Sequence, residues 1–401
     1  MMYFVIMRCI NRIIPLLLAL LCSTGVLHAQ KMDKEHISIG VNGRWNHVSS
    51  TPLLDKMVST YDYGSPVVNI GFSTYQKDND WFARALNYPT FGFSFGFNPM
   101  GSLKYTGKST LGNFWDLFGW AQFYLWQAPR FRIGPSLALG LGYTPVIYDF
   151  KTNPDNLFIG SHLQNYVALG IKAEFLISRH LAAELTFDLQ HHSNAMIKAP
   201  NWGINEMVTG LGLRYYLAPT EFPTRGSKLE QPIFKKGLSW RIFTAFGVHS
   251  CQQELDANLK IGKEENLAPA HPVFELGTEL VWRYSPIFAT GLFLEGNYTG
   301  NNNRVIDRIL EHRVDPEGYS PFRVSVGLTQ EFWYKRVSFH LAVGIYIFKK
   351  TGLVEDVGRT TAKLGIRYHS KFVKGLFAGF DLRTHYFNRS YSTEWCLGYS
   401  L

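Results

Sequence analysis

Along most of this chain large apolar side chains alternate with small or polar ones, in segments of about ten residues. That is the period of a β-strand whose two faces meet different surroundings. Phe91-Gly92-Phe93-Ser94-Phe95-Gly96-Phe97, Ile133 to Leu141 and Val167 to Phe175 each show it, with an outer row almost free of charge and an inner row of glycine, serine, lysine and glutamate. The pattern predicts strands near 36–46, 66–75, 91–98, 115–126, 131–143, 165–176, 181–193 and 206–217. It predicts eight more near 238–249, 272–284, 288–299, 322–334, 336–348, 360–370, 375–387 and 392–401. A soluble β-sandwich alternates too, but packs its large residues between two sheets. The number of strands, the glycines of the inner row and the aromatics near strand ends favour an all-β fold, a transmembrane antiparallel β-barrel with lipid outside. A closed barrel pairs every backbone group and leaves no edge in the bilayer.

Eight strands make the smallest common closed barrel, so the first half has enough strands to close by itself. Residues 218–237, rich in proline, glycine and charge, read as a linker. The expected organisation is two tandem eight-stranded barrels, 30–217 and 238–401, and counting alone leaves open one barrel of about sixteen strands. The halves echo one another in the same order: Leu169-Gly170-Ile171-Lys172 with Leu364-Gly365-Ile366-Arg367, and Phe187-Asp188-Leu189 with Phe380-Asp381-Leu382. The chain ends with Trp395, Leu397, Tyr399 and Leu401 on one face, which resembles the end signal of outer-membrane barrel proteins.

Composition narrows the compartment. Arg8 and Arg12, the apolar run Ile13 to Leu21 and Leu27-His28-Ala29 form a secretory signal peptide, residues 1–29, cleaved after Ala29. Leu21 before Cys22 does not suit a lipidation signal. Export removes Cys9 and Cys22 and leaves Cys251 and Cys396, paired or separate, so no disulfide framework holds the fold. Aromatics reach 15% and charged residues only 18%, against roughly 25% charged in soluble proteins. The formal charge of +9 is compatible with anionic lipid. No nucleic acid partner is implied, and the oligomeric state is open.

Chemistry gathers at the end of one strand. In Leu181 to Leu189 the odd positions form the apolar face, and His191 and Ser193 continue it. The next strand puts Asn205, Met207, Thr209 and Leu211 on one face and Glu206 on the other, so Asn205 shares the face of His191. A histidine beside a serine is a possible base and nucleophile. With the amino terminus periplasmic, this seventh strand runs outward, and the pair faces lipid at the level of the outer leaflet. His192 and Glu184 are expected to be lumen residues, Asp188 to brace an inner network, and Tyr215 and Tyr216 to be girdle aromatics. Lys198 is either a solvated lysine or a partner for a lipid phosphate.

The segment His191-x-Ser193-Asn194-Ala195, then Lys198, Pro200-Asn201 and Gly203-Ile204, resembles the active-site segment of the PagL-type lipid A 3-O-deacylases. The likeness is best over 170–217 and does not reach the second half, where Thr384 and Tyr386 stand in the places of His191 and Ser193. It implies an outer-membrane serine esterase that removes an ester-linked acyl chain from lipid A, with lipopolysaccharide in the outer leaflet as its partner. Ser193 would be the nucleophile, His191 its general base, and Asn194 and Asn201 support for the oxyanion hole. No metal or organic cofactor is required. The family's third member is a glutamate, whereas Asn205 stands here, with Glu206 on the opposite face. An asparagine oxygen can orient an imidazole but stabilises its charged form less. The alternative is a barrel without enzymatic activity, a channel or surface-binding protein.

Overall fold

The structure, a computed structural model, describes residues 37–74, 80–223, 234–264, 267–300, 320–350, 358–385 and 389–401. The expected cleavage site and the middle of the linker lie outside them. Fifteen of the sixteen expected strands form within a few residues of the limits expected from alternation. The first barrel holds β1 (Ile37–Val48), β2 (Asp62–Ser73), β3 (Thr90–Asn98), β4 (Phe114–Gln122), β5 (Trp126–Ala128), β6 (Phe131–Tyr143), β7 (Leu163–Leu176), β8 (Leu181–Ser193) and β9 (Ile204–Tyr216). Each strand pairs antiparallel with its neighbour, and pairing of β1 with β9 and of β4 with β6 closes the ring at eight strands. The segment near 115–126 is not one strand. Its pairing jumps from Gln122↔Ser136 to Trp126↔Ile133, with Pro135, which has no N–H to donate, between them. The remnant beyond that irregularity is β5.

The second barrel holds β10 (Gly237–Ser250), β11 (Ala270–Arg283), β12 (Phe288–Thr299), β13 (Phe322–Tyr334), β14 (Val337–Lys349), β15 (Thr360–His369), β16 (Leu376–His385) and β17 (Arg389–Ser400). It closes through β10 and β17. Two barrels, not one of sixteen strands, therefore form. Two short helices lie in the connections, α1 (Trp81–Ala85) and α2 (Gln252–Lys260). Residues 218–223 turn back onto the first barrel, where Phe222 is buried and the Arg132 guanidinium lies 4.1 Å from its ring centre.

Alternation sorts the side chains as a bilayer requires. Ile39, Phe93, Leu169, Phe187 and Leu211 stand exposed on the first barrel, and Leu276, Leu292, Leu328 and Leu364 on the second. Such apolar belts are at home in lipid, not in water. Inside, buried charges are paired. Arg132 meets Glu174 at 2.6 Å and Arg214 meets Glu184 at 2.6 Å, while in the second barrel Arg241 meets Glu331 at 2.5 Å and Arg367 meets Glu279 at 2.8 Å. A close opposite charge offsets part of the cost of burying such ions. Such pairs place charged side chains inside both barrels.

Tyr216 departs from the girdle position expected of it. Tyr215 is exposed on the outer face, but Tyr216, one residue on, points inward and is buried, its hydroxyl donating to Glu174 at 2.7 Å. Adjacent strand residues cannot share a face. His192, Glu184 and Asp188 are interior, as expected. Cys251 and Cys396 are both buried and are not joined to each other.

Candidate active site

Strand β8 carries Leu185, Phe187 and Leu189 on its exposed face, and His191 follows in the same row. Cross-strand register sets its neighbours: Asn205 of β9 lies directly opposite His191 on one side, and Val167 of β7 on the other. The His191 Nδ1–H donates to Asn205 Oδ1 at 2.7 Å. With its proton held at Nδ1, the imidazole leaves Nε2 as the acceptor. Glu206 faces the lumen instead, where it is buried, accepts from the Tyr63 hydroxyl and lies 3.6 Å from His192 Nδ1. Alternation keeps that carboxylate away from His191.

Ser193 ends β8, opposite Asn165 of β7, and is buried under the loop 194–203. Among the described residues no hydrogen bond joins Ser193 Oγ to His191. The loop is folded tightly by the two candidate asparagines. Asn201 Oδ1 accepts from the Asn194 backbone N–H at 2.9 Å, and Asn194 Nδ2 donates to the Lys198 carbonyl at 2.8 Å. From below, the Trp202 and Gly203 N–H groups donate to the carbonyls of Leu157 and Phe158, each at 3.2 Å. Lys198 is exposed at the rim.

Gly203 was part of the motif without a role, and the structure supplies one. Its φ is +69°, and a Cβ there would stand 2.7 Å from His191 Cε1 and 3.1 Å from Ser193 Cβ. Only glycine meets both demands without strain. The imidazole and the serine therefore flank one point. Gly203→Ala is expected to displace the ring and to lower turnover about a hundredfold, since a misplacement of roughly 1 Å costs that much. Steady-state kinetics of the folded variant would check this, and unchanged turnover would show that the ring has room to spare.

A second residue missed by sequence reasoning comes from the other barrel. Ser250, the last residue of β10, donates its backbone N–H to the Met196 carbonyl at 2.6 Å, and its hydroxyl accepts from the Ala199 N–H at 3.1 Å. The loop over Ser193 is thus held from both sides. No local pattern in the sequence could have revealed a contact that depends on how the barrels meet.

Residues 70–214 match the family model described as lipid A 3-O-deacylase (PagL). That stretch of the first barrel is similar to the PagL family, as the motif at its end resembles the family's. Residues 239–401 match a second model, acyloxyacyl hydrolase, C-terminal domain, so the relationship reaches beyond the first half, where the motif resemblance ended. Among solved structures, the outer membrane enzyme PagL is 13% identical, covers 43% of this chain and 97% of its own, and has a TM-score of 0.29. Neisserial surface protein A is 10% identical over 45% of this chain and 96% of its own, at 0.28. A porin variant of Rh. blastica spans 91% of this chain and 100% of its own at 10% identity and 0.17. No curated protein matches the chain. The two-barrel architecture rests on the strand pairing itself.

Proposed function

We propose that the first barrel is an outer-membrane serine esterase that removes an ester-linked acyl chain from lipid A, reached by export through the signal peptide at residues 1–29. The observation that carries this reading is the His191–Asn205 hydrogen bond beside Ser193, at the end of a lipid-facing row in a domain similar to the PagL family. Ser193 Oγ attacks the ester carbonyl as His191 Nε2 takes its proton. The developing oxyanion needs donors, and Asn201 keeps its amide nitrogen for that task, since its oxygen is the atom bound to Asn194. Asn194 acts through the loop, by bracing Lys198. His191 then returns the proton to the sugar oxygen as the acyl bond breaks. Water, deprotonated by the same nitrogen, releases the fatty acid from Ser193 and restores the hydroxyl.

Asn205 stands in for a carboxylate in this scheme. It fixes the tautomer and the ring plane, and supplies only a dipole to the imidazolium. The test is mass spectrometry of lipid A from cells that express the full chain and from matched cells that lack it. A species lighter by one ester-linked acyl chain is expected only with the protein present. Identical acylation in both would remove the proposal.

A further inference from the structure

The two barrels touch at both ends and part between them. At the end bearing Ser193, Ser250 holds Met196 and Ala199. At the opposite end Lys335 pairs with Asp80, and Phe82 and Phe123 meet Tyr334 and Phe332 edge-on. Between these contacts lies a crevice of about 1710 Å³. Leu139, Val167 and Leu169 of the first barrel and Leu364, Ile366 and Leu382 of the second form its walls. Its lower end is bounded by α1 and Phe332, and its upper end reaches Asn165, Asn194 and Ile197. Asn165 is the register partner of Ser193, and Asn194 is the next residue in the chain. The crevice therefore begins beside the serine and descends along the apolar height of both barrels.

Its dimensions and chemistry decide what fits. The volume exceeds the roughly 300–1,000 Å³ of a small-molecule pocket; the walls named above are aliphatic, and Arg84 of α1 is the charged residue of the lining, at the lower end. A molecule anchored at Ser193 by a polar ester and extending downward as hydrocarbon matches these aliphatic walls. We propose that the crevice seats acyl chain of the lipid that Ser193 attacks, so that the second barrel, which lacks the His-x-Ser pair, sets the chain length accepted. This rests on the esterase reading above and extends it. The level of each wall residue follows the strand register: Val167 is the partner of His191, Leu364 and Leu382 lie opposite each other, and Leu169 and Ile366 lie two residues further down their strands. A bulky residue at the lower level shortens the crevice without touching the serine.

The test uses the full-length protein in phospholipid vesicles, with p-nitrophenyl butanoate and p-nitrophenyl hexadecanoate as substrates. Ile366→Trp and, from the opposite wall, Leu169→Trp are expected to slow hexadecanoate hydrolysis roughly tenfold, the worth of about two methylenes kept from apolar contact. Butanoate hydrolysis is expected to stay at the unmodified rate, which also reports that the variants are folded. Leu294→Trp, on the exposed face of β12 away from the crevice, is expected to change neither. An unchanged ratio of the two rates in both wall variants would overturn the proposal while leaving the esterase intact, and would assign the crevice to bulk membrane lipid. Butanoate hydrolysis that survives Ser193→Ala would instead overturn the reading of the site, and this proposal with it.

Discussion

Ser193→Ala is expected to abolish deacylation while the protein folds and inserts as before. The substitution removes one oxygen atom from a side chain at the end of a strand. The cross-strand pair with Asn165 is made by backbone and survives. The asparagine clip at Asn194, Asn201 and Lys198 and the grip of Ser250 do not involve the hydroxyl. Stability should therefore change little, and heat-modifiable migration on gels should match the parent. Turnover should fall by about 10⁶, the loss seen when a serine hydrolase loses its nucleophile and keeps only binding and the oxyanion hole. Lipid A mass spectra from cells carrying this variant should equal those from cells without the gene. A deacylated species in the variant would mean that another group attacks the ester.

Much of this fold is legible because a membrane barrel imposes two solvents on one strand. Lipid outside and a polar lumen inside force the period of two, and every strand declares itself. The same rule gave the phase of the site: His191 and Asn205 were placed on one face by parity, and register then sets them opposite each other. Closure was harder to read. Whether Ile37–Val48 pairs with Ile204–Tyr216 or the sheet runs on into Gly237–Ser250 leaves no mark on alternation, since either gives each strand the same two faces. Tyr216 failed for a simpler reason: a pair of aromatics near a strand end suggests a girdle, although parity sends only one of them outward.

The weak repeat between the halves has a structural counterpart. Gly170 lies opposite Asp188, and Gly365 opposite Asp381, in the sixth and seventh strands of their barrels. A Cβ on either glycine would come within 2.0 Å of the aspartate Oδ1. Each glycine thus makes room for an inward carboxylate on its neighbour. From this shared point the halves diverge at the strand end, where Val167 faces His191 in one and Ala362 faces Thr384 in the other. The packing device remains in both barrels, and the His191-x-Ser193 pair in only one. What the second barrel adds is external to it: Ser250 on the loop over Ser193, and one wall of the crevice.

His191→Ala is expected to lower turnover by about 10³ to 10⁴ with KM little changed, because proton transfer acts in the transition state and not in binding. Asn205 offers a graded test of the same imidazole. Asn205→Ala removes the acceptor at 2.7 Å from Nδ1 and releases both tautomer and ring plane. One neutral hydrogen bond is worth about 1 kcal/mol, so turnover should fall roughly fivefold to tenfold. Asn205→Glu replaces that dipole with a charge on the same lipid-facing side of β9. Charge-assisted bonds are about twice as strong as neutral ones, and the gain falls mainly on the imidazolium of the transition state, so turnover should rise roughly tenfold. Kinetics on lipid A in vesicles would order the three proteins Glu, Asn, Ala. Equal turnover across the series, beside an inactive His191→Ala, would mean that the ring is held by the walls around it, with Gly203 and Val167 sufficient to fix its plane.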